Sequence, residues 1–268
     1  MTLDPFEAVN RAFSKQSHHY DLEDRANPVL SDMRQQVYAH VSRFLKPGDS
    51  MLELNAGTGI DALHFALSGH SVHATDLSDG MIQEIRKKVA ASSLGDKFTC
   101  QQLSYDQLHH LNGKQFDYVF SNFGGLNCIQ DLGKVTQYLP GILKPGAYIT
   151  WVIMPPVCPW ELLGVFKGRI GKAFRRFRKA GVMAHLEGEY FKTYYHSLSS
   201  MKEAFGKPFT FIAAEGLAAF TPQPHRGDFP GKHPVLYKTL KNIDRVVTPH
   251  FPFNRWADHI MVTFQFKG

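Results

Sequence analysis

Two acidic residues and two glycines lie close together in the first third of the chain, in an order that suits the binding of a nucleoside. Glu53 falls within a short apolar stretch, and Gly57 and Gly59 follow it in a tight turn. Asp76 ends the next apolar stretch. Glycines between a strand and a helix let backbone N–H groups approach a ligand, and a carboxylate at the end of a neighbouring strand can accept hydrogen bonds from ribose hydroxyls. The pattern indicates a nucleoside-bearing cofactor.

Short apolar segments around these residues predict the elements that hold them. Residues 51–54 and 71–75 have the character of buried strands, and residues 60–68 repeat apolar side chains with helical spacing. A strand, a glycine turn, a helix and a second strand make one unit of a parallel sheet. We therefore expect Glu53 and Asp76 at the carboxyl ends of adjacent strands, where ligands bind in such sheets.

Two classes of cofactor fit this turn. Together with Ala62, the two glycines satisfy the relaxed dinucleotide fingerprint, which is a weak signal alone. Three details oppose a pyrophosphate: the negative charge of Glu53, the residue Asn55 at the strand end, and the short distance along the chain to the acid. Asp76 follows Gly59 by 17 positions, whereas the dinucleotide motif needs roughly 20. An acidic residue here suits a cationic ligand better, such as the amino group and sulfonium of S-adenosylmethionine.

Three segments carry a resemblance to a known family. LELNAGTG (52–59), ATDLSDGM (74–81) and FDYVFSN (116–122) resemble, in order and spacing, the motifs of the class I S-adenosylmethionine-dependent methyltransferases. Within them the chain is most similar to the small-molecule branch related to ubiquinone/menaquinone-biosynthesis methyltransferases, over about residues 13–154. The chain departs from the common first motif at Asn55 and Ala56, where the family carries glycine and cysteine.

The resemblance implies an α/β fold with a Rossmann-like, doubly wound sheet of seven mostly parallel strands and an antiparallel last strand. It divides the chain into a lid segment at 1–30, a cofactor-binding core at 31–154, and a remainder at 155–268. The remainder holds the last strands together with cap insertions at about 155–196 and 219–255.

The resemblance also assigns residues to the cofactor. Tyr20 and Asp21 match a Tyr-Asp pair in the family's lid, although an arm packed on the domain is an equal alternative for this segment. Ser104 and Tyr105 stand where many members place an acidic and a small residue against the adenine. S-adenosylmethionine is the implied cofactor and S-adenosylhomocysteine the product. The predicted cofactor-binding residues are Tyr20, Glu53, Asn55, Ala56, Gly57, Gly59, Asp76, Leu77, Met81, Ser104, Tyr105, Asn122 and Phe123.

The methyl acceptor is predicted only as a class. Asn122 and Phe123 begin a loop that, in the family, touches both cofactor and substrate, and it lacks the Pro-Pro pair of enzymes that methylate nucleobase amino groups. A phenol or thiol acceptor needs a base, for which His196 and His259, both beside strand-like segments, are the candidates. The aromatic content of 13%, with 21 Phe, favours an apolar or aromatic small molecule. Pocket walls or ordinary core are the alternatives for Trp151, Trp160, Tyr194, Tyr195 and Phe220.

Composition narrows the class of protein. The apolar fraction is 43% and the charged fraction 20%, as in ordinary globular enzymes. The sequence has no apolar run of membrane-spanning length and no signal peptide at its first residues. The three cysteines, Cys100, Cys128 and Cys158, are widely spaced, which indicates reduced thiols and no metal site. We therefore expect a cytoplasmic protein.

The net charge of +6 is concentrated at 167–179, where seven Lys and Arg residues lie in one predicted helical stretch, 160–180. A solvated helix face is one interpretation, with Val165, Phe166, Ile170, Phe174 and Phe177 as the opposing apolar stripe. RNA methylation guided by this helix is the other, and nucleic acid is the disfavoured partner. A methyltransferase-like binding protein without turnover is a further alternative, which the departures at Asn55, Ala56 and Ser104 favour. A nicotinamide dehydrogenase is disfavoured. The acceptor's identity and the oligomeric state are not predicted.

Periodicity predicts the remaining elements. A capping box at 200–203 predicts the start of a short helix, and 221–233 is predicted as a long loop. The other predicted helices are 31–45, 78–91 and 131–143, and the other predicted strands are 98–102, 115–121, 147–154, 190–197, 209–214 and 258–266.

Overall fold

The computed structural model describes residues 5–268, and its central element is a sheet of seven strands. Residues 1–4 of the predicted lid lie outside this range. The strands are β1 Ser50–Leu54, β2 Ser71–Asp76, β3 Phe98–Gln102, β4 Phe116–Ser121, β5 Leu143–Ile153, β8 Phe209–Leu217 and β9 His259–Phe266, and the strands β6 Val182–Leu186 and β7 Glu189–Thr193 form a separate hairpin.

The spatial order of the sheet is β3-β2-β1-β4-β5-β9-β8. Strands β1 to β5 pair in parallel, and β9 is antiparallel to both β5 and β8, between which it is inserted. The predicted fold class and the antiparallel insertion of the last strand are confirmed. Because the strand order reverses beside β1, the carboxyl ends of β1, β2 and β4 surround a crevice.

Six helices of eight or more residues lie between residues 5 and 268. They are α1 Pro5–Ala26, α2 Pro28–Val41, α3 Ile60–Leu67, α4 Asp79–Ala91, α5 Leu198–Phe205 and α6 Pro234–Val247. Single helical turns occur at Gly133–Thr136, Leu139–Ile142, Pro159–Leu162, Ile170–Ala173 and Phe229–Lys232. None of the helices in this part of the chain combines the length and apolarity needed to cross a bilayer.

The two faces of the sheet are buried by separate hydrophobic clusters. Leu52 and Leu54 of β1 belong to one cluster, and Met51 belongs to the other. Consecutive side chains of a strand point to opposite faces, so a strand that is buried on both faces is apolar at nearly every position. Glu53 interrupts this pattern and is nevertheless only 1% exposed.

Several predicted elements differ from the observed ones. The predicted helix 31–45 is α2, which begins earlier because the Asn27 side chain accepts hydrogen bonds from the first-turn amides. The predicted helix 131–143 is found as two helical turns, Gly133–Thr136 and Leu139–Ile142, the second with Pro140 near its start. The predicted helix 160–180 is wrong: it is a series of short turns, broken by glycines such as Gly168 with φ of 68°. The capping box at 200–203 is also wrong, because Ser197 is the N-cap of α5.

Helix α6 was not predicted, although Pro234 lies in its first turn, a position where proline signals the start of a helix. The Pro-, Gly- and His-rich residues before it suggested a loop, and 224–226 and 229–232 are in fact short helical turns. Asp244 of α6 accepts hydrogen bonds from the backbone N–H groups of Phe220 and Thr221. This buried carboxylate therefore holds α6 to the chain that follows β8.

Helix α1 packs on α4 at a point where only glycine fits. A Cβ at Gly80 would lie 2.6 Å from both the Ser14 carbonyl oxygen and the Ser17 hydroxyl. The Gly80 N–H also donates to the Ser14 hydroxyl at 3.0 Å. We expect Gly80→Ala to displace α1, although alanine alone would favour helix α4 by about 1 kcal/mol.

Hydrogen exchange followed by mass spectrometry measures this displacement as faster exchange of α1 amides. Gly231→Ala is the matched control, because a Cβ there meets nothing within 4 Å. Equal exchange of α1 in both variants contradicts the prediction.

Candidate functional site

The glycine turn after β1 is built from three residues in left-handed conformation. Asn55, Gly57 and Gly59 have φ of 45°, 57° and 79°. Asparagine tolerates this region better than other side chains, and its amide accepts a hydrogen bond from the Ser121 hydroxyl at 2.8 Å. The departure from the family motif at Asn55 therefore ties the turn to the end of β4.

Asp76, at the end of β2, faces this turn. One carboxylate oxygen accepts from the Gly57 N–H and the other from the Ser78 N–H, both at 2.8 Å. Burial raises the pKa of Asp76 to about 6, against the opposing effect of those backbone amides. The carboxylate is thus fixed beside the turn at the carboxyl edge of the sheet, as predicted.

Glu53 is the second acid of the site, and its surroundings are unusual. Its Oε2 atom is buried and has no hydrogen-bond partner among the described residues. Burial, together with the negative charge of Asp61, raises the pKa of Glu53 well above its usual range. A buried carboxyl group without a partner is costly. This one is therefore suited to a cationic group of a ligand, which would supply the missing partner.

A buried network lies next to Glu53. The Arg34 guanidinium pairs with Asp24 at 2.6 Å and with Asp61. Asp61 also accepts hydrogen bonds from Tyr38 at 2.6 Å and from the Asn122 amide at 2.8 Å. The Nε atom of Arg34 is buried without a partner among the described residues. Asp61 has a weak sequence signal, because it follows the glycine turn, whereas Arg34 has none.

Two adjoining cavities open at this edge of the sheet. The larger has a volume of about 250 Å³ and the smaller about 40 Å³. Of the predicted cofactor residues, Glu53 and Ala56 line the smaller cavity but not the larger one. Gly59 and Ser104 line neither: Gly59 packs on Ile85, and the Ser104 hydroxyl donates to Asp106. The predicted residues that line the larger cavity are Tyr20, Asn55, Gly57, Asp76, Leu77, Met81, Tyr105, Asn122 and Phe123.

The carboxyl-terminal half of α1 is held over the glycine turn. Asp21 accepts a hydrogen bond from the Thr58 hydroxyl and pairs with Lys88 of α4 at 2.7 Å. Tyr20, one residue earlier, lines both cavities, and burial raises its pKa to about 12. In the described part of the predicted lid, residues 5–30, Asp21 thus contacts the first motif at Thr58, and Ser14 contacts the second motif at Gly80.

The two candidate bases occupy different surroundings. The Nε2 atom of His196 donates to the Ile129 carbonyl at 2.9 Å, and the residue lines neither cavity. The Nδ1 atom of His259 lies 3.0 Å from the Asp258 carboxylate, and its ring contacts the edge of Phe123, which lines both cavities. The structure thus brings His259, but not His196, next to the candidate site.

The five aromatic residues for which pocket walls and ordinary core were the alternatives do not line the two cavities. Trp151 is fully buried and packs 4.6 Å from the Phe205 ring, as in ordinary core. Phe13 of α1 and Phe191 of β7 line the larger cavity instead. The sequence offered no signal for them, because the packing of α1 against β7 is a long-range contact.

The basic stretch is not a solvated helix face. Arg176 is 4% exposed and pairs with Glu161 and with Asp258, each at 2.8 Å, and Arg175 pairs with Glu161 at 2.7 Å. The side chain of Lys167 lies outside the described residues. The predicted apolar stripe is also wrong, because these side chains are exposed: Val165, Phe166, Ile170, Phe174 and Phe177.

Comparison with known proteins identifies the domain. Residues 51–146 match the family model described as a methyltransferase domain, and these residues hold the glycine turn, Asp76 and the parallel strands β1 to β4. Residues 51–146 form a class I methyltransferase domain. The family resemblance drawn from the three sequence motifs is confirmed.

Curated relatives of the methyltransferase domain include demethylmenaquinone methyltransferases. The protein of Corynebacterium glutamicum is 30% identical over 150 residues, which are 55% of this chain and 59% of that protein. The protein of Clavibacter sepedonicus is 30% identical over 146 residues, or 53% and 56% of the two chains. The chain therefore spans somewhat more than half the length of the curated relatives it matches.

Solved structures share the fold of the methyltransferase domain. One is the 1,6-didemethyltoxoflavin-N1-methyltransferase of Burkholderia thailandensis with bound 1,6-didemethyltoxoflavin and S-adenosylhomocysteine, with a TM-score of 0.57, 14% identity, and coverage of 100% of this chain and 92% of that one. An S-adenosylmethionine-dependent methyltransferase from Mesorhizobium loti has a TM-score of 0.55 at 16% identity, and the match covers 85% and 96% of the chains.

Proposed function

We propose that the chain is an S-adenosylmethionine-dependent methyltransferase that acts on a small, apolar or aromatic molecule. The observation that carries this proposal is the pair of buried acids at adjacent strand ends. Glu53 has a carboxylate oxygen without a partner among residues 5–268, and Asp76 is fixed by two backbone amides beside the glycine turn. This donor and acceptor set fits a ligand with one cationic end and one ribose. The curated relatives and the family model support the same conclusion.

Different residues are proposed to contact different parts of the cofactor. We assign Asp76 to the ribose hydroxyls, Glu53 to the cationic end, and Met81 and Tyr105 to the adenine. When bound, the cofactor supplies an electrophilic methyl group on a sulfonium. The protein then needs chiefly to align the acceptor and to exclude water. Tyr20 of α1 contributes to exclusion, because it lines both cavities.

The proposed class of methyl acceptor follows from the other residues that line the larger cavity. Its walls beyond the motif residues include Val9 and Phe13 of α1 and Ala184, Phe191 and Thr193 of the β6–β7 hairpin. Asp76 is its one charged lining residue among the described ones. Apolar walls with few polar groups select an apolar ligand, so we propose an acceptor without charge.

Calorimetric titration tests the proposal directly. We expect both S-adenosylmethionine and S-adenosylhomocysteine to bind with one site per chain, and NAD(H) not to bind. A folded protein that binds neither adenosyl compound contradicts the proposed function. Binding without transfer of a labelled methyl group in a broad acceptor screen would favour the alternative of a binding protein without turnover.

The affinity should depend on pH through Asp76. Ribose binding needs the ionised carboxylate, and the pKa of Asp76 is raised to about 6 in the folded chain. We therefore expect affinity for S-adenosylhomocysteine to be about tenfold lower at about pH 5 than at about pH 7, and level above that. Asp76→Asn should remove this dependence, and an unchanged pH profile in that variant contradicts it.

The raised pKa of Asp76 makes the stability of the fold depend on pH in the opposite direction from ligand affinity. The pKa of Asp76 lies above its unfolded value of 3.8, so the folded state holds the proton more tightly. Stability without ligand should therefore fall as the pH rises from about 4 to about 6. Ligand binding and folding thus favour different protonation states of one residue.

RNA is not the substrate we propose. Two of the seven cations at 167–179, Arg175 and Arg176, are committed to ion pairs within the fold. We also propose a cytoplasmic location, which rests on the three cysteines being free thiols.

A further inference from the structure

We infer that His259, oriented by Asp258, is the general base that takes the proton of the methyl acceptor, so that the acceptor presents an acidic O–H or S–H group. This inference rests on the proposed function, which leaves the acceptor's reacting group open. It also gives a role to the ion pairs of the basic stretch, which cofactor binding does not use.

The topology brings His259 to the site. Strand β9 is antiparallel to its neighbours, so its first residue, His259, lies at the edge where β5 ends. A Cβ built on Gly124 would lie 3.5 Å from the Nε2 atom of His259 and 3.1 Å from Met154. Phe123, Gly124 and Met154 all line the larger cavity. His259 therefore stands directly behind a wall residue that has no side chain.

Asp258 determines which ring nitrogen of His259 is free. Its Oδ2 atom lies 3.0 Å from Nδ1, and a carboxylate can only accept, so Nδ1 carries a proton. In the neutral ring, Nε2 is then the atom with the lone pair. Enzymes that deprotonate hydroxyl and thiol groups commonly use a base that a third group holds in the correct orientation.

The Asp258 carboxylate is held ionised and immobile. Its Oδ1 atom accepts from Arg176 at 2.8 Å and from the Gln223 amide at 2.6 Å. Burial acts to raise the pKa of Asp258, but the hydrogen bonds from His259 and Gln223 and the positive charge of Arg176 outweigh it and keep that pKa well below the usual range. Glu161 fixes Arg176 in turn, at 2.9 Å from its Nε atom.

The other titratable groups near the cavity are committed elsewhere. Both oxygens of Asp76 accept backbone amides, and Glu53 lies in the smaller cavity. Burial raises the pKa of Cys128 to about 12, so this lining thiol stays protonated. Among the described residues at the cavity and its wall, His259 is the base whose lone pair is free.

The proton transfer is a complete step. The O–H or S–H bond of the acceptor breaks, its proton moves to Nε2, and its electron pair stays on the oxygen or sulfur. That atom forms the bond to the methyl carbon as the carbon–sulfonium bond breaks and its electron pair returns to sulfur. The imidazolium, stabilised by Asp258, then releases its proton to solvent.

A coloured phenol tests the inference without turnover. We would titrate the S-adenosylhomocysteine complex with 4-nitrophenol at a mildly acidic pH, at which the free compound is the neutral phenol. The expected result is a bound phenolate, seen by its absorbance. In His259→Asn, whose amide can still donate to Asp258, we expect the fraction of phenolate to fall at least tenfold. His196→Asn is the matched control and should behave as the original protein does.

Each other outcome has a defined meaning. Neutral phenol bound by the original protein, or equal phenolate in the His259→Asn variant, overturns the role of His259. Failure of the complex to bind 4-nitrophenol overturns the acceptor class. Failure to bind S-adenosylhomocysteine counts against the proposed function instead. If the variant does not fold, nitrogen-15 NMR of the original protein decides, because a neutral ring with its proton on Nε2 excludes the arrangement.

Discussion

Asp76→Ala is expected to weaken S-adenosylhomocysteine binding by about 1.5–3 kcal/mol, the range for losing charged hydrogen bonds, or roughly one to two orders of magnitude in Kd. The carboxylate stands at the end of β2 and is anchored to the glycine turn through the Gly57 N–H. Its removal costs the ribose its acceptor and also leaves two backbone amides without partners. Both effects act in the same direction, so the loss should lie toward the upper end.

Calorimetry measures this loss, and Asp96→Ala is the matched control, because Asp96 is an exposed acid. An unchanged affinity in Asp76→Ala, with the control also unchanged, means that the ribose does not contact this carboxylate. A thermal melt of the ligand-free variant separates reduced binding from reduced folding.

Arg34→Met is expected to have the largest effect on stability, about 3–5 kcal/mol, because it leaves buried carboxylates without their cation. Asp24 and Asp61 both pair with this guanidinium, whose side chain is 7% exposed. Methionine has a similar length, so the change removes the charge and the hydrogen bonds rather than volume. Chemical denaturation measures the difference in the free energy of unfolding.

The control for this prediction is Arg11→Met on α1. The Arg11 side chain is 52% exposed and pairs with Glu7 and Glu189, so its loss should cost at most about 1 kcal/mol. Adding Asp24→Asn and Asp61→Asn to Arg34→Met should recover part of the lost stability, since the unpaired charges are then gone. Additive losses in the combined variant would show that the three residues do not form one network.

The sheet edge that carries the glycine turn and the two acids was predictable because its signals are local. A glycine turn after an apolar strand, with an acid at the next strand end, occupies fewer than thirty residues, and the chemistry of each residue type constrains its role. Glu53 was predictable from its position, although its lack of a partner was not. Its raised pKa, too, depends on burial and on the charges of Asp61 and Arg34, and Arg34 lies on a helix with no motif.

The carboxyl-terminal part was less predictable for a physical reason. At 160–180 the alternation of cations and aromatics imitates an amphipathic helix, but glycines such as Gly168 break it into turns. Arg176 is buried between Glu161 and Asp258, and Asp258, which is 82 positions away, accepts its hydrogen bond. A local sequence pattern cannot reveal such a pairing. A charged residue that looks exposed in the sequence can therefore be buried against a partner that is distant in the chain.

The seating of α1 has a consequence for how fast the protein can work. Tyr20 and Phe13 line the larger cavity, so, if the cofactor binds there as we propose, we expect spent cofactor to leave after this helix lifts. The interactions that hold α1 in place include solvent-exposed ion pairs such as Lys15 with Glu189, and salt weakens such pairs. We therefore expect departure of the product to limit the turnover rate, and to quicken as ionic strength rises.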